Sequence, residues 1–435
     1  MNVDFWFDLS CPYAYLASGA IEPLCRAAGA SLRLQPMLLG GVFRATGAGD
    51  GPMPGLGPAK AASNLRDMAR WAERRGVALT VPAGHPRRTV RALRTLLGLP
   101  TARWSSAMHA LYAAYWVAGA DIADDDVIAA ALAGAGVPAA EIATARAGAD
   151  TDAIKDELRR RTDQAVAAGV FGAPAMVVTR DAGPPILLWG QDRLHWLEAV
   201  LAGWDPDHGS PATIPVGDPG AATPIPAAAG PAPALDFWFD YASPFAYLAS
   251  TQIVRVAAAA GAELRWRPML LGALFKAIGT PDVPLFAMPE AKRRYVTGEL
   301  DRWARWWGVP LRFPRRFPMR TVTALRLTLL AGERAPALIA RLFAAAWVED
   351  RDLADPAELR TLAADVGVDP ARVDDAAAPA AKAALHDATA QAVTAGVFGA
   401  PTTIVHGPDG PMAFWGQDRL ELVAAALRGW RPRAG

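Results

Sequence analysis

The sequence predicts an α/β protein in which one domain is written twice. Three observations carry this. At 435 residues the chain is too long for a single ordinary core. Its segments recur in the same order: "DFWFD" from Asp4 and Asp236, "MLLGGVFRATG" (37–47) and "MLLGALFKAIG" (269–279), "RWAERRGV" (70–77) and "RWARWWGV" (302–309), "AGVFGAPA" (168–175) and "AGVFGAPT" (395–402), and "WGQDRL" at 189–194 and 415–420. Within each copy, strand-like stretches alternate with helical ones. The repeat is far too long for a solenoid, so the copies are whole domains. They are expected at 1–204 and 235–431. The Pro/Ala/Gly-rich 205–234 reads as a linker, since it has too few large apolar side chains to fold.

The elements of the first copy follow in order. "VDFWFDL" alternates and is aromatic, which predicts a strand. Pro12 stands at the first position of a helix that Gly29 closes. "SLRLQPM" (31–37) is a second strand. Residues 60–168 are mostly helical, with one helix ending on Gly76 and another running from a Thr151 N-cap to Gly169. "PAMVVTR" and "PILLWG" (185–190) read as a hairpin, and "QDRLHWLEAVLAG" as the last helix. The second copy repeats the scheme.

Bulk properties narrow the function. A net charge of +1 gives no electrostatic case for nucleic acid or an anionic membrane. Two cysteines exclude a disulfide scaffold and a cysteine-rich metal site. No Cys/His cluster has metal-ligand spacing, and no Walker or G-x-G-x-x-G loop occurs. The N-terminus lacks the basic and apolar regions of a signal peptide, so the cytoplasm is the expected compartment.

The segments that bear on chemistry sit at the turns. "LSCPYAYLAS" (9–18) and "YASPFAYLAS" (241–250) place Cys11 and Ser243 after a strand and just before a helix. The helix N-terminus favours an anion there. A cysteine in that position is expected to have a lowered pKa, whereas a serine hydroxyl would donate a hydrogen bond to the sulfur anion of a bound thiol. Ordinary N-capping explains either residue in isolation. The second segment tips the balance. Ala173–Pro174 and Ala400–Pro401 stand where a thioredoxin-type fold places a cis-proline opposite the active turn, with free backbone that pairs an extended thiol peptide. Gln191–Asp192 and Gln417–Asp418 open the last helices and read as helix caps or as ligand holders, with Arg193 and Arg419 adding charge or simply solvated. Lys60 and Lys292 match in a chain with few lysines, which suggests point charges for an anionic ligand. Trp71/Trp303, Trp116/Trp347 and Cys25 read as core.

Together these segments resemble the 2-hydroxychromene-2-carboxylate isomerases, relatives of the kappa-class glutathione transferases in the DsbA-like thioredoxin superfamily. The resemblance spans each half nearly end to end. It implies two thioredoxin-like domains, each with a helical insertion, and glutathione as cofactor. It implies that Ser243 hydrogen-bonds the glutathione sulfur, with Cys11 as its first-half counterpart. Backbone at Ala400–Pro401 and Ala173–Pro174 would pair with the tripeptide. Lys292, Gln417 and Asp418, and in the first half Lys60, Gln191 and Asp192, would hold its ends. The implied reaction is glutathione-dependent cis–trans isomerisation of an aromatic α-keto acid in aromatic catabolism. No metal, nucleic acid or membrane is implied. A kappa-like glutathione transferase or a thiol–disulfide oxidoreductase centred on Cys11 are the alternatives, with one half a non-catalytic scaffold. Ala14 stands where a resolving cysteine would be, which disfavours dithiol exchange. Because members of this family pair as homodimers, the halves are expected to form an intramolecular pseudo-dimer.

Overall fold

A computed structural model describes residues 1–49, 51, 55–211, 233–281 and 283–432. The first half runs β1 (Asn2–Phe7), α1 (Pro12–Ala27), β2 (Ser31–Pro36), α2 (Leu39–Ala45), α3 (Pro58–Arg74), α4 (Val90–Gly98), α5 (Trp104–Trp116), α6 (Asp125–Gly134), α7 (Ala139–Gly148), α8 (Asp152–Ala167), β3 (Ala175–Thr179), β4 (Ile186–Trp189) and α9 (Leu194–Leu201). The second half runs β5 (Ala234–Phe239), α10 (Pro244–Ala259), β6 (Glu263–Pro268), α11 (Leu271–Ile278), α12 (Glu290–Trp307), α13 (Val322–Leu330), α14 (Ala335–Trp347), α15 (Pro356–Asp365), α16 (Arg372–Asp375), α17 (Pro379–Thr394), β7 (Thr402–Gly407), β8 (Gly410–Trp415) and α18 (Leu420–Leu427). Each half holds one four-stranded sheet, ordered β2-β1-β3-β4 and β6-β5-β7-β8. The first two strands of each half pair parallel; the other pairings are antiparallel.

Alternation in "VDFWFDL" predicts a half-buried strand, but Val3 to Phe7 are all buried. β1 is central, and helices cover both of its faces. Phe5 and Phe7 enter the main core with α1 and α5, while Trp6 packs on the other side with Val42 of α2 and Ala165 of α8. Pro12 and Pro244 occupy the first helical turn, and Gly29 closes α1 at φ +63°. Thr151 stands before α8, yet its hydroxyl donates back to the Gly148 carbonyl at 2.6 Å instead of capping. Trp71, Trp303, Trp116, Trp347 and Cys25 are buried core residues.

Of the stretch read as a linker, 212–232 lie outside the described residues. The preceding segment is anchored: Arg180 donates to Asp205 at 2.8 Å, and Arg302 of the second half donates to Asp207 at 3.0 Å.

The halves pack against each other through reciprocal contacts. Arg70 on α3 donates to the Ala413 carbonyl in β8 at 2.6 Å; its counterpart Arg302 on α12 donates to the Leu187 carbonyl in β4 at 2.8 Å. One buried apolar cluster runs unbroken across the junction, where Trp196 meets Trp303 with ring centroids 4.7 Å apart. The arginines that the sequence left as charge donors or solvated side chains pair across the junction, Arg193 buried and Arg419 half-buried. Arg193 reaches across to Glu299 at 2.6 Å and Asp418 at 2.9 Å. Arg419 reaches back to Asp67 at 2.8 Å and Asp192 at 2.7 Å.

The reciprocity is incomplete, and one break bears on how the halves choose each other. His195 lies against the Trp306 ring at 5.1 Å, whereas its counterpart Glu421 pairs with Arg74 at 3.7 Å. Two copies of the first half would face His195 with Arg74. Two copies of the second would set the Glu421 carboxylate against the Trp306 ring. Neither contact is satisfied. Co-expressed as separate chains with different tags, the two halves are therefore expected to purify as a one-to-one pair, with self-pairing weaker. Light scattering of each half alone checks this; a first-half homodimer as tight as the mixed pair would refute it.

Candidate active site

The turn before α1 is built on a carboxylate. Asp8, which closes "DFWFD", accepts from the Ser10 N–H at 2.9 Å, the Leu39 N–H at 2.7 Å and the Thr89 hydroxyl at 2.8 Å. Asp240 does the same with Ala242, Leu271 and Thr321 at 3.0, 2.8 and 2.7 Å. Each buried acid thus ties the active turn to the start of the next helix and to the loop before α4 or α13. Burial raises the pKa of both. Neither residue stood out in the sequence, although its recurrence in both copies of "DFWFD" was there to be read.

Cys11 and Ser243 sit at equivalent points, 6% and 5% exposed. Ser243 Oγ accepts from the Ala246 N–H at 3.1 Å, capping α10, and donates to the Ala400 carbonyl at 2.9 Å. The Cys11 thiol donates to the Ala173 carbonyl at 3.0 Å and makes no cap bond. Ala173–Pro174 and Ala400–Pro401 are cis. The turn and the cis-proline loop therefore face each other in both halves. The Ala173 and Ala400 N–H groups have no partner among the described residues.

The expected low Cys11 pKa is overturned. Burial is the main cause that pushes the thiol up to about 12, and the nearby Asp8 charge pushes it the same way. The helix N-terminus stabilises a thiolate only where the sulfur keeps other solvation. Here burial and an acid three residues away outweigh it. Cys11 is a thiol donor at neutral pH. In the intact protein its alkylation by iodoacetamide should be slow at pH 7 and should climb steadily with each pH unit toward 12, which mass spectrometry of the Cys11 peptide follows. A rate already on its plateau at pH 8 would contradict this.

The "WGQDR" turns are joined to the same loops, since the Gly190 N–H donates to the Pro174 carbonyl at 2.9 Å and the Gly416 N–H to the Pro401 carbonyl at 3.0 Å. Gly416 has φ +108°, and a Cβ there would meet the Asp418 carboxylate at 2.5 Å. Gln191 and Gln417 are buried. Gln191 accepts from Arg75 at 2.9 Å, while its amide nitrogen has no partner. Burial by itself would raise Asp192, but the Arg193 and Arg419 guanidiniums outweigh it and hold the carboxyl at about 2. Asp192 and Asp418 thus belong to the junction between the halves as well as to the turn.

The lysines cross over. Lys60 lies on the Trp415 ring of the second half at 5.0 Å, and Lys292 lies on the Trp189 ring of the first half at 5.1 Å. Neither makes an ion pair among the described residues. Burial lowers the pKa of both, and the Lys60 charge lowers Lys292 further. Each lysine thus lies beside the "WGQD" turn of the opposite half. No single half's sequence pattern carries that information.

Among the described residues no group of three or more His, Cys, Asp or Glu side chains is placed to hold a metal. No helix there is long and apolar enough to cross a membrane.

Strand–turn–helix opposite a cis-proline, with a thiol or hydroxyl at the helix start, defines a thioredoxin-fold domain, here present twice. The chain belongs to the DSBA-like thioredoxin domain family, which matches residues 2–202 and again 234–428. It is similar to the 2-hydroxychromene-2-carboxylate isomerase of Sphingobium xenophagum, 32% identical over 194 residues that cover 44% of this chain and 97% of that one. It is also similar to glutathione S-transferase kappa 1 of Rattus norvegicus, 26% identical over 212 residues, 46% of this chain and 92% of that one. A solved 2-hydroxychromene-2-carboxylate isomerase aligns with a TM-score of 0.39 and 24% identity, covering 46% of this chain and 95% of its own. The relatives are enzymes, and this chain is read as one.

Proposed function

We propose that the protein is a glutathione-dependent cis–trans isomerase of an aromatic α-keto acid, with Ser243 at the working site. The observation that carries this is the Ser243 hydroxyl, buried at a helix N-terminus beside the unpartnered N–H of Ala400. Those groups fit a tripeptide thiol: a donor for sulfur, and a backbone edge for an extended peptide. At the Ser243 half, Lys60, Gln417 and Asp418 supply the charged and polar groups for its ends, and Lys292, Gln191 and Asp192 stand in the same places at the Cys11 half.

When bound, glutathione supplies a thiolate nucleophile that adds to the conjugated double bond and leaves once the bond has rotated. The chain's own part is electrostatic. Ser243 turns its hydroxyl from the Ala400 carbonyl toward the sulfur, and the first N–H groups of α10 add their dipoles. Ala400, before the cis bond to Pro401, would hold the peptide backbone of the tripeptide beside the Ser243 turn. Cys11, protonated and bound to the Ala173 carbonyl, offers a weaker donor in the same place. A kappa-type glutathione transferase is the second reading, favoured by the similarity to the rat enzyme.

Calorimetric titration of the reduced protein with glutathione tests the reading. Binding at the second half, weakened by Ser243→Ala, is expected. No heat and no displacement of a glutathione probe would end both readings, and binding without turnover of a hydroxybenzylidene-pyruvate would leave the transferase.

A further inference from the structure

The two halves differ in a region to which nothing above assigns a role. In the second half, Phe286 on the Pro284–Ala287 turn is 56% exposed and Phe313 is 40% exposed. Both lean on Phe317, with ring centroids 6.2 Å and 5.0 Å away. Behind them stands Trp347, fully buried, 5.8 Å from Phe313 and 6.4 Å from Phe317. Together they form an aromatic wall with two of its rings open to solvent, the kind of contiguous apolar patch that marks a binding surface.

The wall is tied to the Ser243 turn at three points. The Trp347 indole donates to the Tyr241 carbonyl at 2.8 Å, two residues before Ser243. Asp240 holds Leu271, at the head of the helix that leads toward Phe286. It also holds Thr321, at the end of the loop that carries Phe313 and Phe317. The first half has the same anchors on Asp8 but other side chains at two of the three open or leaning ring positions, the counterpart of Phe286 lying outside the described residues. Val81 and His85 stand at the positions of Phe313 and Phe317. His85 Nδ1 lies 2.9 Å from the Tyr115 hydroxyl, which also takes the Arg87 N–H at 2.9 Å. Tyr115 matches Ala346, so this polar pair has no counterpart in the second half.

We infer that the second half seats the planar aromatic group of its substrate on Phe286, Phe313 and Phe317, and that the first half lacks this seat. The inference rests on the isomerase reading for the identity of the reaction, but not for the ring-binding itself. Offset or edge-on contact with two open rings supplies about tenfold in affinity, and the polar His85–Tyr115 pair opposes a flat apolar guest.

The test separates the two. In the full chain, 2-naphthoate binding is followed by equilibrium dialysis. One site per chain is expected, weakened about tenfold or more by Phe286→Ala/Phe313→Ala and unchanged by Val81→Ala/His85→Ala. Both phenylalanines are exposed, so the variant should keep its fold, which circular dichroism checks. In turnover, the phenylalanine variant should raise KM for a hydroxybenzylidene-pyruvate about tenfold while glutathione affinity stays put. If naphthoate binding depends on Phe286 and Phe313 but no isomerisation occurs, the seat stands and the isomerase reading falls. If isomerisation proceeds with KM unchanged in that variant, or if the Val81/His85 variant is the one that loses the ring, the seat is refuted.

Discussion

Ser243→Ala should cut glutathione-dependent isomerisation by about ten- to a hundredfold, while Cys11→Ala leaves most of it. A hydrogen bond to a charged partner contributes about 1.5–3 kcal/mol, and each ~1.4 kcal/mol is a factor of ten in rate. The bound thiol should also become harder to ionise. Removing a donor from its sulfur raises its pKa, so the rising limb of the rate against pH should move upward by about one to two units. A merely structural effect would not move that limb. Some stability will be lost as well, on the order of 1 kcal/mol, because the hydroxyl caps α10 through the Ala246 N–H. Equal losses from Ser243→Ala and Cys11→Ala, measured with enzyme saturated in glutathione, would mean that both halves work. An unshifted pH limb would remove Ser243 from the chemistry.

The largest stability effect is expected at the junction. Arg193→Met should cost about 3–5 kcal/mol, the usual penalty for breaking a buried charge pair. Arg193 and Glu299 are each 6% exposed at the side chain and lie 2.6 Å apart, so neither can recover water once its partner is gone. Asp418 loses a contact at 2.9 Å at the same time. For domains of this size such a loss corresponds to a melting temperature lower by about 10 °C. Arg193→Met/Glu299→Leu should regain part of it, since an apolar pair of similar volume costs far less than a lone buried charge. Thermal unfolding of the three proteins checks this. A single variant as stable as the parent would show that the halves hold together by their apolar contact alone, through Trp196 and Trp303.

Much of this protein was legible in the residue order. Period, punctuation by Pro and Gly, and the recurrence of short segments marked two α/β domains, the helix that starts at Pro12, the β3–β4 hairpin and the pairing of an active turn with Ala173–Pro174 or Ala400–Pro401. These follow from local chemistry: backbone restriction at proline, positive φ at glycine, and side-chain alternation are properties of a few neighbouring residues. Burial of both faces of β1 was not legible, because alternation in a strand does not say what will cover it. The Cys11 pKa was misjudged for the same reason. A helix start acts on a thiol locally, but desolvation and the Asp8 charge depend on what the whole fold packs around the sulfur. The crossing of Lys60 and Lys292 to the opposite half, the ion pairs that Arg193 and Arg419 make across the junction, and the facing of His195 with Trp306 arise only when two copies of the domain meet. Long-range contact is a property of assembled surfaces, and a linear chain contains the surfaces without showing which of them will touch.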